Sequence, residues 1–281
     1  MISFTNIGLE SARLGNQMSQ YAAVLGLAYK NKYEYAIPYH NEHRSGTMFN
    51  LDPNVQSWIR VNFRVPEGFN ITAPNLTLEK EQLLKNQYTE PIGFDPNFFN
   101  TLDNTNIHGY FQCEKYWEHI DDIIRKEFSF KEKFKLEAEK QIKNIKIKYN
   151  ELISIHVRRG DYVGNQNRHP LQSLEYYQSA LNYFTDKEYA YVIFSDDITW
   201  CKEYFGEDER IYYIEDNIDF IDMCMMSLCD HNIIANSTFS WWGAWLNNNP
   251  NKIVIAPSNW LGPEIKHLQT DDIYCKNWII I

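Results

Sequence analysis

Cysteine is scarce in this chain. Five residues (Cys113, Cys201, Cys224, Cys229 and Cys275) are spread over 281 positions, with no C-x-x-C pair among them. An odd, scattered set argues against a disulfide framework or a cysteine zinc site and favours a reducing compartment. Long apolar runs are missing too: nothing approaches the roughly 18 residues of a membrane span. Met1-Ile2-Ser3-Phe4-Thr5-Asn6 has no basic stretch leading into an apolar one. A cytoplasmic, soluble protein with no membrane span is therefore expected, in which the Asn-x-Ser/Thr triplets at Asn70, Asn75 and Asn236 carry little weight as glycosylation sites. Basic charge is outweighed, with 27 Lys and Arg against 37 Asp and Glu and a net charge of −10. That balance excludes a protein whose main task is to grip nucleic acid or an anionic membrane. There is no G-x-x-x-x-G-K-[ST] loop, which argues against a nucleoside triphosphatase. No strict Asp-x-Asp occurs, so a divalent ion held by paired carboxylates is not expected. No internal repeat is visible.

What is present is organised in two halves. The length allows two ordinary domains with independent cores. In the C-terminal half, apolar and β-branched runs at Leu152–Val157, Ala190–Phe194, Ile211–Ile214, Asn232–Ala235 and Lys252–Ala256 predict five strands. Helices are predicted between them at Ser173–Phe184, Ile198–Phe205, Phe220–Leu228 and Trp241–Leu246. That alternation predicts a parallel, doubly wound sheet covered on both faces. The N-terminal half is less regular: a strand at Ile2–Ile7, a helix at about Asn16–Lys30, and long loops and short elements over 40–105. One or two amphipathic helices follow over Lys115–Lys148. The predicted division is 1–150 and 151–281. Aromatics reach 15%, with 19 Tyr and 8 Trp, which suits sugar-stacking surfaces and aromatic cores alike.

The most informative segment is Ile155-His156-Val157-Arg158-Arg159-Gly160-Asp161, where the first strand of the C-terminal half runs into a loop. Two guanidiniums and a glycine at a strand end predict positive charge at a crevice that suits phosphate. Asp161 is a candidate general base or a partner that orients an arginine, and His169 is a further candidate base. Ser195-Asp196-Asp197 closes the second strand, and Asn236-Ser237-Thr238-Phe239-Ser240 ends the fourth and opens a helix. Hydroxyls at a helix start are good caps, and the same N–H groups make an anion site. The two loops together predict a diphosphate cradle.

These residues carry a resemblance. His156-Val157-Arg158-Arg159-Gly160-Asp161 resembles the H-x-R-R-x-D motif of the α-1,2-fucosyltransferases, glycosyltransferase family 11. Tyr191–Asp197 and the block Asn236-Ser237-Thr238-Phe239-Ser240-Trp241-Trp242-Gly243 are similar to two further motifs. So are Leu14-Gly15-Asn16-Gln17-Met18 and Gly109-Tyr110-Phe111-Gln112-Cys113-Glu114-Lys115-Tyr116. The resemblance implies a GT-B-type α/β fold of two Rossmann-like domains with a cleft between them. It also implies inverting transfer from GDP-fucose to a glycan acceptor, with no cofactor and no metal. By the same resemblance Arg158 and Arg159 bind the diphosphate, and His156, Asp196, Asn236, Ser237, Thr238 and Ser240 hold the donor. Asp222, with Asp219 as runner-up, reads guanine. Arg13, Asn16 and Gln17 face the acceptor. Relatives usually carry glycine and phenylalanine where this chain has Ala12 and Ser19, which leaves the acceptor least determined. Two other readings stand beside it: a transferase of the same fold using another nucleotide sugar, and a sugar- or nucleotide-binding protein without turnover.

Overall fold

The structure, a computed structural model, describes residues 1–7, 13–38, 63–185, 188–269 and 271–281. Ala12 and much of the 40–105 region expected to be loops lie outside the described residues. The chain divides into two compact units, Met1–Ser129 and Phe130–Ile281.

The first unit contains β1 (Ile2–Ser3), α1 (Leu14–Asn31), the single-turn helices α2 (Val65–Gly68) and α3 (Leu78–Glu81), β2 (Asn86–Thr89), β3 (Thr105–His108) and α4 (Asp121–Glu127). Its three strands form a parallel sheet in the order β1-β3-β2. The first strand is shorter than the Ile2–Ile7 expected, because the chain turns at Thr5–Ile7, where Ile7 N–H bonds Phe4 C=O. Helix α1 is buried nearly all round from Leu14 to Ala28, which explains its lack of a charged face.

The second unit begins with α5 (Glu132–Lys146). There follow β4 (Glu151–Val157), α6 (Leu174–Leu181), β5 (Tyr189–Ser195), α7 (Ile198–Phe205) and β6 (Ile211–Tyr213). The chain continues through α8 (Asp219–Leu228), β7 (His231–Ile233), α9 (Thr238–Leu246), β8 (Val254–Ala256) and β9 (Ile279–Ile280). All six strands are parallel, in the order β6-β5-β4-β7-β8-β9. Alternate residues of each strand point to opposite faces. Ile153, Ile155, Val157 and Ile193 pack with Tyr176, Tyr177 and Ala180 of α6. Leu152, Ala190, Val192 and Phe194 pack with Ala138, Ile142 and Ile145 of α5 and with Cys224, Met225 and Met226 of α8. Helix α5 thus completes the core of the second sheet, which is why the division falls after Ser129 and not near 150. Strand β9, a sixth, was not expected from the sequence.

The order places the site. The chain runs outward from β4 through β5 to β6, then returns to the far side of β4 and runs outward again through β7, β8 and β9. The reversal lies between β4 and β7, and ligands of open α/β sheets bind beyond the carboxyl ends of the strands at such a point. None of the described helices is long and apolar enough to cross a membrane. All five cysteines are buried, and none forms a disulfide.

Candidate active site

Strands β4 and β7 deliver the two loops singled out in the sequence to this switch point. The parallel register pairs His156 with Phe194 and Val157 with Ser195, so Arg158 emerges beside Asp196. Its guanidinium bridges Asp196 and Asp161 and lies 5.2 Å from the Tyr162 ring centroid. Arg159 donates from Nε to Asp197 at 2.9 Å and stacks 4.2 Å over Trp200, which is itself stacked on Tyr204. The arginines are therefore not an isolated positive focus, as the sequence suggested; two guanidiniums face three carboxylates. What the loop presents is a set of fixed N–H donors whose charge is more than offset by the carboxylates around them.

Asp196 holds that loop in shape. Its Oδ1 accepts the backbone N–H of Arg159 at 2.8 Å and of Gly160 at 3.2 Å, and a Cβ on Gly160 would run into its Oδ2. Asp196, expected at the donor, clamps the arginine loop. Asp161 lies with its carboxylate on Arg158, the orienting arrangement and a poor one for a base. His169 stacks on Tyr162, with centroids 4.9 Å apart. Burial, reinforced by Arg168 and Arg158 against the pull of Asp161, holds its imidazole below the ordinary histidine range, so it is neutral near pH 7.

His156 ties the two loops together. Its Nδ1 lies 2.9 Å from Ser240 Oγ, and that hydroxyl donates to Ser237 C=O at 3.2 Å. Because the serine proton is engaged, Nδ1 carries the imidazole proton and Nε2 keeps a lone pair. Burial, helped by the Arg158 charge, pushes the ring down to about 3, so it stays neutral. The first intrahelical bond of α9 runs from Trp241 N–H to Ser237 C=O at 3.0 Å. The N–H groups of Phe239 and Ser240 therefore have no acceptor inside the helix. Ser237 is the N-cap residue, yet its hydroxyl makes no capping bond. Asn236, expected at the donor, also ties loops together. Its amide ties Pro170 C=O (3.1 Å) to Trp260 C=O (3.0 Å), and its backbone carbonyl accepts from the Tyr162 hydroxyl.

Helix α8 packs against α9 where Gly243 meets Met226, and in a parallel sheet both helices start at the carboxyl edge. Asp222 is on the first turn of α8. Its Oδ1 is buried with no hydrogen-bond partner, and burial, opposed by a hydrogen bond with Asn217 and aided by the nearby Asp219, pushes the carboxyl up to about 7. The residues expected to face the acceptor belong to the other unit, at the start of α1. Arg13 is exposed at the N-cap and Asn16 Oδ1 accepts from Gln112 Nε2 at 2.9 Å. Gln17 is fully buried, with Oε1 accepting the Arg64 backbone N–H at 2.7 Å; it holds a chain segment in place. Ser19 bonds back to Gly15 C=O within the helix. Two residues escaped sequence reasoning: Tyr162, which props Arg158 and His169, and Trp200, which props Arg159. Their spacing to the motif, four and forty-one positions after Arg158 and Arg159, carries no recognisable signal.

Comparison with known proteins gives the family and the fold. An α-1,2-colitosyltransferase of Escherichia coli is 33% identical over 217 residues, covering 74% of this chain and 71% of its own. The O-antigen biosynthesis glycosyltransferase WbnK of Escherichia coli is 31% identical over 96% of this chain and 98% of its own. Among solved structures, NodZ α-1,6-fucosyltransferase soaked with GDP-fucose superposes with a TM-score of 0.51 at 13% identity, covering 87% of this chain and 91% of its own. POFUT1 superposes with a TM-score of 0.53 at 12% identity, covering 91% and 97%. The structural likenesses show the fold, a GT-B-type α/β arrangement with parallel sheets. The family profile described as Glycosyl transferase family 11 matches residues 4–281, and on that match, with the two bacterial relatives, the chain belongs to glycosyltransferase family 11.

Proposed function

We propose that this transferase moves L-fucose from GDP-fucose to the 2-hydroxyl of a terminal β-galactose, with inversion and without a metal. The observation that carries the reading is the meeting, at the β4–β7 switch point, of an arginine loop and a helix start joined by the His156–Ser240 bond. A diphosphate there accepts N–H groups from α9 and from the guanidinium of Arg158, and charge developing on the β-phosphate is met by donors already in place. The acceptor oxygen bonds to the sugar C1 as the C1–O bond to phosphate breaks, and GDP leaves with the electron pair. His169, neutral and held on Tyr162, is assigned the acceptor proton; Asp161 orients Arg158. Asp222, with an unpartnered oxygen on the same edge, is assigned to guanine N1–H and N2–H₂.

A second donor sugar has specific support. The relative at 33% identity is named a colitosyltransferase, and colitose is fucose without its 3-hydroxyl, so the same nucleotide site would serve both. Turnover with GDP-fucose and GDP-colitose on a β-galactoside separates the two, and turnover with neither leaves the binding-protein reading. In titration calorimetry, GDP is expected to bind at least tenfold more tightly than UDP or ADP, since phosphate contacts are common to all three. Tighter binding of UDP would overturn the guanine assignment and the donor with it.

Transfer is expected to persist in excess EDTA. Among the described residues no group of three or more His, Cys, Asp or Glu side chains is placed to hold a metal, and Asp161, Asp196 and Asp197 each already face an arginine. Activity lost on chelation and restored by Mg²⁺ or Mn²⁺ would show that the phosphates are neutralised differently.

A further inference from the structure

The segment Gly109-Tyr110-Phe111-Gln112 belongs to the first unit and is built with unusual care. It leaves the carboxyl end of β3, the central strand of the first sheet. The register pairs Thr89 of β2 with His108 of β3, so Glu90 emerges beside Gly109, as Asp196 emerges beside Arg158 in the other unit. Glu90 Oε2 accepts the backbone N–H of Tyr110 at 2.8 Å and of Phe111 at 2.7 Å. A side chain on Gly109 would collide with Glu90. Phe111 sits in the left-handed region, at φ +51°, a conformation that costs a phenylalanine on the order of 1 kcal/mol or more. It is fully buried against Phe98 and Tyr116, which fixes the strained turn. The residue carried outward by this turn is Tyr110, 53% exposed.

Two more groups converge there. Gln20 of α1, 5% exposed, donates from Nε2 to Gly109 C=O at 3.1 Å, and its Oε1 is buried with no hydrogen-bond partner. Gln112 reaches Asn16 from the other side of the turn. An exposed aromatic side chain on a turn whose backbone is fixed by a carboxylate, with amides on the same turn, has the chemistry that recognises a sugar: a ring covers a C–H face while polar groups take hydroxyls. Galactose suits it well, because its axial 4-hydroxyl leaves H3, H4 and H5 as one continuous apolar patch.

We infer that Tyr110, with Glu90 and Gln20, forms a subsite for the terminal galactose of the acceptor. This rests on the galactoside reading of the function given above, and places the acceptor on the carboxyl edge of the first sheet. Lactose is the probe. Tyr110→Ala is expected to raise the lactose KM at least tenfold with GDP affinity held within twofold, and Tyr110→Phe to restore KM to within twofold of the native value. Glu90→Gln, which keeps an acceptor for both N–H groups, is expected to raise KM severalfold. An unchanged KM in Tyr110→Ala, or equal losses of lactose and GDP, would overturn the subsite. So would a native protein that binds GDP and consumes GDP-fucose without responding to lactose. Failure of the native protein to bind GDP would remove the donor reading, and this subsite with it.

Discussion

Arg158→Ala is expected to lower turnover by a hundredfold or more while leaving the fold intact. Removing one preorganised donor from a developing oxyanion typically costs about 3 kcal/mol. Here the alanine also strands two carboxylates, because Asp161 and Asp196 both lean on this guanidinium. Their unbalanced charge would then face the departing diphosphate. Lysine should rescue poorly, since a point charge cannot bridge two carboxylates and still offer a flat pair of donors. The double variant Arg158→Ala/Asp161→Asn separates the two contributions: removing the stranded charge should recover part of the loss. Single-turnover rates and a thermal melt on the same preparations make the measurement. Near-native rates in a well-folded Arg158→Ala protein would end the assignment.

Much of this site was legible because parallel strands buried on both faces read as continuous apolar runs. Ile153, Ile155, Ile193 and Ile233 belong to such runs, and the polar residues that interrupt them mark the carboxyl edge. Strand β9 was hidden because Ile279–Ile280 is too short to show a period. The role of α5 was hidden because an amphipathic stripe says that a helix covers something, not which sheet it covers. The electrostatics were the largest miss. Arg158 and Asp196 are 38 positions apart, and Glu90 and Gly109 are 19 apart. Each pair meets because adjacent parallel strands end in register, and pairing across strands leaves no trace in local spacing. For Asn236 and Gln17 the sequence does not separate two roles: a buried amide that ties loops together and one that meets a ligand look the same in it.

Asp222→Asn is expected to act in opposite directions on binding and on stability. Burial pushes the native carboxyl up to about 7, against roughly 3.9 in an unfolded chain. A group whose folded value is raised contributes fully to stability below its unfolded value, and that contribution is lost as pH rises through the folded value. For Asp222 the loss runs from about pH 4 to pH 7 and is constant above. A shift of about three units corresponds to roughly 4 kcal/mol, reduced toward about 2 by solvent at a partly exposed site. Asparagine has the same shape and no charge to desolvate, so the variant should melt several degrees higher than the native protein at pH 8 and with it at pH 4. Under the guanine assignment proposed above, the carboxylate acts in binding. Accepting from guanine N1–H and N2–H₂ is worth roughly 1.5 to 3 kcal/mol for a charged acceptor, so GDP should weaken about ten- to a hundredfold in the variant, with UDP nearly unchanged. Native GDP affinity should also rise with pH up to about 7, since below that value a proton must leave Asp222 before guanine can bind, and the variant should lose this dependence. Calorimetric titrations at pH 5.5, 7 and 8.5 with GDP and UDP test both halves. A variant that gains stability at pH 8 but binds GDP and UDP as the native protein does would make Asp222 a buried acid without a nucleobase to read, and would move guanine recognition to Asp219.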